Sequence, residues 1–246
     1  MNRTVLFTGG SGLLGSEMKK LFPTNCFPSS TEFNIIDFEG MDNTIQIMNG
    51  VLGDSIKTLV HMAAFTSPPK IDQDPMKALE VNIIGTANVV KLCQKHGIYL
   101  IYISTDYVFN NKNLDLASEE DPVNPVNLYA VSKLGGECAV KLYNNSLIIR
   151  LSFGKNKFPY PAAYEDQYTS RESVQTIAIK LDKIIKRNDL NGVIHIGYGG
   201  VRTVYEYALA LDKNNINLEK ISICNSKTII PKNTMLNTNK YKKLFG

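Results

Sequence analysis

Tyr129 and Lys133 stand four residues apart in "NLYAVSKLGGE" (127–137), the spacing that places two side chains on one face of a helix. A phenol beside a lysine can manage a proton. Tyrosine titrates near 10 and is a reluctant acid or base, but a neighbouring ammonium favours the phenolate and draws it toward neutrality. Reducing a carbonyl needs such a donor for the developing alkoxide, and a second hydroxyl to polarise and hold the oxygen. "YISTDYVFN" (102–110) offers Ser104, Thr105 and Asp106 at the end of an apolar run, where open α/β sheets hold ligands. Chance Y-x-x-x-K spacings are common. The weight here lies in the order along the chain: glycine turn, hydroxyl-bearing strand end, then Tyr129 and Lys133.

The glycine turn is "FTGGSGLLG" (7–15), with Gly9, Gly12 and Gly15 between an apolar run and a helical pattern. Glycine serves three needs at such a turn: a tight bend, close backbone approach to a pyrophosphate, and close helix–sheet packing. The following helix start offers free N–H groups and a favourable dipole for phosphate. In the commoner fingerprint an acid about 20 residues on holds the ribose hydroxyl of NAD. Here the expected second strand, near "NCFPSS", ends in Ser29, Ser30 and Thr31 instead. Hydroxyls accommodate a 2′-phosphate that an acid would repel, so NADP(H) is favoured over NAD(H). Asp37 either lies beside the adenine or caps the helix that opens at "FEGMDN".

These residues need a scaffold. Apolar runs at 4–9, 58–64, 99–104, 146–152 and 192–197 read as strands buried on both faces of a parallel sheet. Helical patterns alternate with them. One covers "DPMKALEVNIIGTANVVKLCQKHG", with Asp74 as N-cap, Pro75 at N1 and Gly97 at the C-terminal end. The expected fold class is α/β, a doubly wound Rossmann-type parallel sheet with a small C-terminal substrate lobe. Residues 1–152 form the expected cofactor domain and 153–246 the lobe, with strand 193–197 returning to the main sheet. Helices are expected at 173–186 and 203–213, and the intervening 153–173 lacks a clean period.

With 246 residues, 43% hydrophobic and 20% charged, the composition is that of a folded protein. A net charge of +4 without a long Lys/Arg block argues against a nucleic-acid partner. Cys26, Cys93, Cys138 and Cys224 show no metal-ligand spacing, so no metal is expected and reduced thiols are. The opening apolar run is too short for a signal peptide, and no run is long enough to span a membrane. The expected location is cytoplasmic.

"TGGSGLLG", "HMAAFTS", "VNIIGTANVV", "IYISTDYVFN", "EEDPVNPVNLYAVSKLGGE" and "LIIRLSF" together are similar to extended short-chain dehydrogenases/reductases, most of all to the dTDP-4-dehydrorhamnose reductase group. The likeness continues weakly into "PKNTMLNTNKYKKLFG". It implies Tyr129 as proton donor, Lys133 holding the nicotinamide ribose and tuning Tyr129, and Thr105 on the sugar carbonyl. It implies Gly9, Ser11, Gly12, Leu13, Leu14 and Gly15 around the pyrophosphate, and Ser30 near the ribose. Asp37 and Phe38 would flank the adenine, and Ala63, Ala64 and Thr66 would line the cofactor. Asp106 would contact the sugar nucleotide. Phe153 stands where the family usually has a tryptophan against the sugar. Asn82 matches a helix asparagine of the superfamily and is read as structural.

The implied activity is NADP(H)-dependent reduction of a nucleotide-linked 4-keto-6-deoxy sugar. Related 4,6-dehydratases carry Asp-Glu after the threonine, whereas here Tyr107 follows Asp106, so dehydration is disfavoured. The alternatives are a nucleotide-sugar epimerase with bound NAD, or a non-catalytic NADP-binding subunit resembling the regulatory subunit of methionine adenosyltransferase. A nucleotide sugar is the expected small-molecule partner, and a homodimer is among the expected assemblies. The stretch between Arg150 and residue 173 looks shorter than the family pattern, which usually carries an extra helix there.

Overall fold

The computed structural model describes residues 4–52, 55–212 and 217–246. The chain runs β1 (Val5–Thr8), α1 (Leu13–Leu21), α2 (Phe38–Leu52) and β2 (Thr58–His61). Short helices α3 (Pro68–Gln73) and α4 (Pro75–Ala78) lead through a π-helical stretch, Leu79–Gly85, into α5 (Thr86–His96) and β3 (Tyr99–Ile103). Next come α6 (Leu128–Val140), β4 (Ser146–Leu151), and the short strands β5 (Phe153–Gly154), β6 (Ala162–Tyr164) and β7 (Glu172–Ser173). The last elements are α7 (Val174–Ile185), β8 (Gly192–Ile196), α8 (Val204–Leu211), β9 (Glu219–Ile221) and α9 (Asn239–Phe245). The helix expected over 203–213 is thus α8, and residue 213 lies outside the described residues.

The main sheet has the order β1-β2-β3-β4-β8, every pair parallel. Alternate strand residues feed opposite faces. Phe7, Val60, Ile101, Ile149 and Ile194 pack with apolar side chains of α1 and α7. Leu6, Leu59, Leu100 and Ile148 pack with those of α2 and α5. Both faces are covered, so no polar stripe is needed and the strands read as unbroken apolar runs.

The second strand expected near "NCFPSS" is reduced to a single parallel bridge between Cys26 and Leu6. Cys26 exchanges backbone bonds with Val5 and Phe7, 3.0 and 2.8 Å long. Pro28 then removes a donor and ends the pairing, while the Phe27 ring stacks on Phe7 at 4.4 Å. The long expected helix from Asp74 to Gly97 also differs in detail. Asp74 Oδ1 does accept from Lys77 N–H at 3.1 Å, and Gly97 does close it at φ +64°. Its middle, however, widens into the π-helical stretch that carries Asn82.

Residues 152–173 hold no helix; β5 pairs with β7, and β6 with β9. Ala163, Val204, Ala208 and Leu218 make a small separate apolar cluster there. Among the described residues no helix is long and apolar enough to cross a membrane, and no cluster of His, Cys, Asp and Glu could hold a metal ion.

Candidate functional site

From β1 the chain moves outward to the Cys26 bridge, then returns to the other side of β1 as β2. Such a reversal opens a crevice at the carboxyl ends of the strands. A cavity of about 720 Å³ fills it, within the usual range for small-molecule sites. Its wall begins at the glycine turn. Gly9 has φ +74°, and a Cβ there would lie 2.7 Å from Ala63 N. A Cβ on Gly15 would lie 2.4 Å from Gly9 O. No side chain caps the first turn of α1, so its opening N–H groups are left for a ligand. Gly15→Ala is expected to cost about 1–3 kcal/mol by overpacking, seen in urea denaturation. An unchanged midpoint would show that the turn tolerates the methyl group.

Behind the turn, the Thr8 hydroxyl accepts from Met62 and Ala63 N–H at 3.2 Å each and lies 2.7 Å from His61 Nδ1. The other ring nitrogen of His61 lies 3.1 Å from the Thr86 hydroxyl. Burial lowers the imidazole to about 3, so it stays neutral. His61 thereby ties the ends of β1 and β2 to α5. Asn82 is a second tie. Its Oδ1 accepts from Phe65 N–H at 2.7 Å, and its Nδ2 donates to Phe65 O and Ser132 Oγ, both at 2.9 Å. The asparagine is structural, as expected, but it joins elements rather than acting within its own helix.

Asn127 caps α6 through Ala130 N–H at 2.8 Å, which puts Tyr129 in the first turn and Lys133 one turn on. The geometry corrects one expectation. Lys133 Nζ donates to Ile103 O at 2.8 Å and lies 4.1 Å from the Tyr102 ring centre. Its amine is tied to the end of β3, and burial lowers it to about 7. Tyr129 is pushed up, not toward neutrality: burial raises it, the Thr105 side chain opposes, and the charges of Asp106 and Tyr107 raise it further. The remaining charge on it, Arg171, lowers it. Tyr129 therefore holds its proton at neutral pH. Edge-on to it, 5.9 Å away, is the ring of Tyr107.

Asp106 is almost fully buried and accepts from the Thr234 hydroxyl at 2.6 Å. Burial pushes its carboxyl up to about 6 against the opposing Thr234 bond and Arg171 charge. An unfolded aspartate titrates at about 4, so between those values the folded state binds more protons. This contribution to stability is full below about 4 and is lost as pH rises through about 6. Asp106→Asn is expected to remove that dependence, so its stability relative to the parent protein rises between pH 4 and 7 in urea denaturation. Parallel pH profiles would contradict this.

Gly9, Ser11, Gly12, Leu13, Leu14, Gly15, Ser30, Ala63, Ala64, Thr66, Thr105, Asp106, Tyr129, Lys133 and Phe153 all line the one cavity. Asp37 and Phe38 do not. Asp37 Oδ1 accepts from Gly40 N–H at 3.0 Å, so its carboxylate is spent capping α2. The Phe38 ring lies 4.6 Å from Lys91 Nζ on the α5 side. The cavity also takes in Tyr107, Ser152 and Arg171, which nothing in the local sequence marks. "TSRES" (169–173) shows an adjacent Arg–Glu pair between small polar residues and no periodicity.

The family model of the RmlD substrate binding domain matches residues 3–158. Methionine adenosyltransferase 2 subunit beta of Pongo abelii is 28% identical over 284 aligned positions, covering 99% of this chain and 83% of that protein. A dTDP-4-dehydrorhamnose reductase of Aggregatibacter actinomycetemcomitans is 30% identical over 152, covering 61% and 51%. In fold, the dTDP-4-dehydrorhamnose reductase of Bacillus anthracis, solved in complex with NADP, superposes with a TM-score of 0.85 at 23% identity, covering 100% of this chain and 92% of that one. The UDP-glucose 4-epimerase of Thermus thermophilus, solved with NAD, gives 0.78 at 18% identity, covering 98% and 92%. With more than half of its length matched by the family model, the chain belongs to the RmlD substrate binding domain family, the dTDP-4-dehydrorhamnose reductase-like branch of the extended short-chain dehydrogenases/reductases.

Proposed function

We propose that the chain is an NADP(H)-dependent reductase of a nucleotide-linked 4-keto-6-deoxy sugar. The observation that carries this reading is that one cavity gathers the glycine turn, Thr105, Tyr129 and Lys133. The residues fit a dinucleotide, because Gly9 and Gly15 let the turn pack where any Cβ would clash with backbone, and the uncapped start of α1 would face a pyrophosphate there. Gly12, Leu13 and Leu14 would hold the pyrophosphate and Lys133 the nicotinamide ribose. NADP(H) is favoured over NAD(H) because Ser29 and Ser30 line the cavity there without a carboxylate. Glu32, the nearest acid in sequence, is turned back: its Oε2 accepts from Ser29 N–H at 2.8 Å. Residues 1–152 carry the cofactor in this reading, and the remainder closes over the sugar.

When bound, a dihydronicotinamide would supply the hydride for the ketone carbon. Thr105 and Tyr129 hold the carbonyl oxygen, and Tyr129 gives it a proton as the alkoxide develops. The raised affinity of Tyr129 for its proton suits a donor that must stay charged with hydrogen until the reaction. Lys133 then relieves the phenolate. Mixing the protein with NADPH and a dTDP- or UDP-4-keto-6-deoxy sugar tests this. Cofactor consumption that vanishes in Tyr129→Phe supports the reductase; NADP(H) binding without consumption counts against it.

A second reading has its own support: relatives that match nearly the whole chain are named methionine adenosyltransferase 2 subunit beta. Such a role predicts NADP(H) binding without turnover, together with co-elution with a methionine adenosyltransferase catalytic subunit.

A further inference from the structure

Arg171 lines the cavity and makes no salt bridge among the described residues. Among the described residues, the arginines in ion pairs are Arg150, with Glu137, and Arg187, with Asp189. The Nε of Arg171 stands 3.5 Å from the Ser152 hydroxyl, the far limit of a hydrogen bond. Its other polar neighbour is the Tyr107 phenol, which also accepts from Gln167 Nε2 at 3.3 Å. Both partners are neutral. The carboxylate oxygens of Asp106, whose charge it feels, accept instead from the hydroxyls of Thr234 and Thr105.

The residue is also held in place. Its N–H donates to Thr169 Oγ1 at 3.0 Å, and its carbonyl accepts from the guanidinium of Arg202. Arg202 is in turn clamped 3.9 Å from the Tyr198 ring centre. The Arg171 stem passes Gly154, where a Cβ would lie 3.6 Å from Arg171 Cδ. A guanidinium fixed at its base presents a planar fork of donors that matches a carboxylate or phosphate. Apolar walls such as Leu151 and Phe153 strengthen any charge pairing beside them.

We infer that Arg171 is the anion clamp of the substrate pocket, and that the sugar this chain takes presents a negatively charged group there: the diphosphate of a nucleotide sugar or a carboxylate on the sugar ring. The proposal deepens the reductase reading and rests on it for the reacting sugar, while the clamp rests on the place of Arg171 in the cavity.

The test titrates the full chain, Arg171→Gln and Arg171→Lys with dTDP, UDP, thymidine and glucuronate by calorimetry in the presence of NADP. Steady-state reduction of a dTDP-4-keto-6-deoxy sugar is measured beside it. One class of anion is expected to bind, to weaken by about 10- to 100-fold in Arg171→Gln and to weaken less in Arg171→Lys. Thymidine, which carries no charge, is expected not to respond. With turnover, KM rises while kcat holds, the signature of lost ground-state binding. A response to dTDP or UDP assigns the diphosphate, and a response to glucuronate the ring carboxylate. If no anion binds, or if binding is unchanged in Arg171→Gln that still unfolds cooperatively, the clamp is overturned even where turnover is found. Anion binding that depends on Arg171 without any turnover upholds the clamp and removes the reductase reading.

Discussion

Tyr129→Phe is expected to lower kcat for keto-sugar reduction by about 100- to 10,000-fold, the usual worth of a positioned general acid, while NADP(H) still binds. The phenol is the group that stands with Thr105 at the cavity wall and keeps its proton at neutral pH. Removing one oxygen leaves the ring and its edge-on packing against Tyr107 intact. The pH profile adds a sharper expectation. Lys133 titrates at about 7, so its positive charge, which would relieve the phenolate, is present below that pH and fades above it. The reduction rate of the parent protein should fall as pH rises through about 7, and Lys133→Met should abolish the inflection. A Tyr129→Phe variant that turns over like the parent would assign the proton to another group.

Glu137→Ala is expected to destabilise the fold by about 3–5 kcal/mol, because it strands a buried charge. Arg150 Nε and Nη2 donate to the two Glu137 oxygens at 3.0 and 2.8 Å, and both side chains are nearly inaccessible to water. Among the described residues Arg150 Nη1 has no hydrogen-bond partner, so losing Glu137 removes both of the side-chain bonds that the guanidinium makes. The Ser104 hydroxyl, 2.6 Å from Glu137 Oε1, would lose its acceptor as well. Since Ser104 directly follows β3 and precedes Thr105, the loss reaches the site. Urea denaturation at pH 7 measures the cost, and a loss under about 1 kcal/mol would place this pair among ordinary surface pairs. Glu137 also raises the Lys133 amine against burial. Glu137→Gln should therefore move the Lys133 inflection to lower pH, while keeping an acceptor for Ser104.

Neither Glu137 nor Arg150 stands out in the sequence. Glu137 follows Lys133 on the α6 pattern and looks like a surface charge, while Arg150 interrupts the apolar run of β4. Their pairing depends on α6 crossing β3 and β4, which no local spacing encodes. Arg171 was missed for the same reason: its position follows from where residues 152–173 fall, a stretch of short strands and turns. Asp37 shows the converse. It could be read as a cofactor ligand or as a cap, and the helix it precedes claims its carboxylate.

What the sequence determined by itself were the features carried by short-range chemistry. Apolar runs made the strands, Asp74 and Gly97 bounded a helix, glycines shaped the turn after β1, and a four-residue spacing put Tyr129 and Lys133 on one face. Tertiary structure alone decided where charges and protons reside. Lys133 turns to the Ile103 carbonyl, Tyr129 keeps its proton, and Arg171 lines the cavity with no salt bridge among the described residues. The physical reason is that ionisation depends on burial and on neighbours brought in from distant segments, whereas helices, strands and turns answer mainly to residues a few positions away.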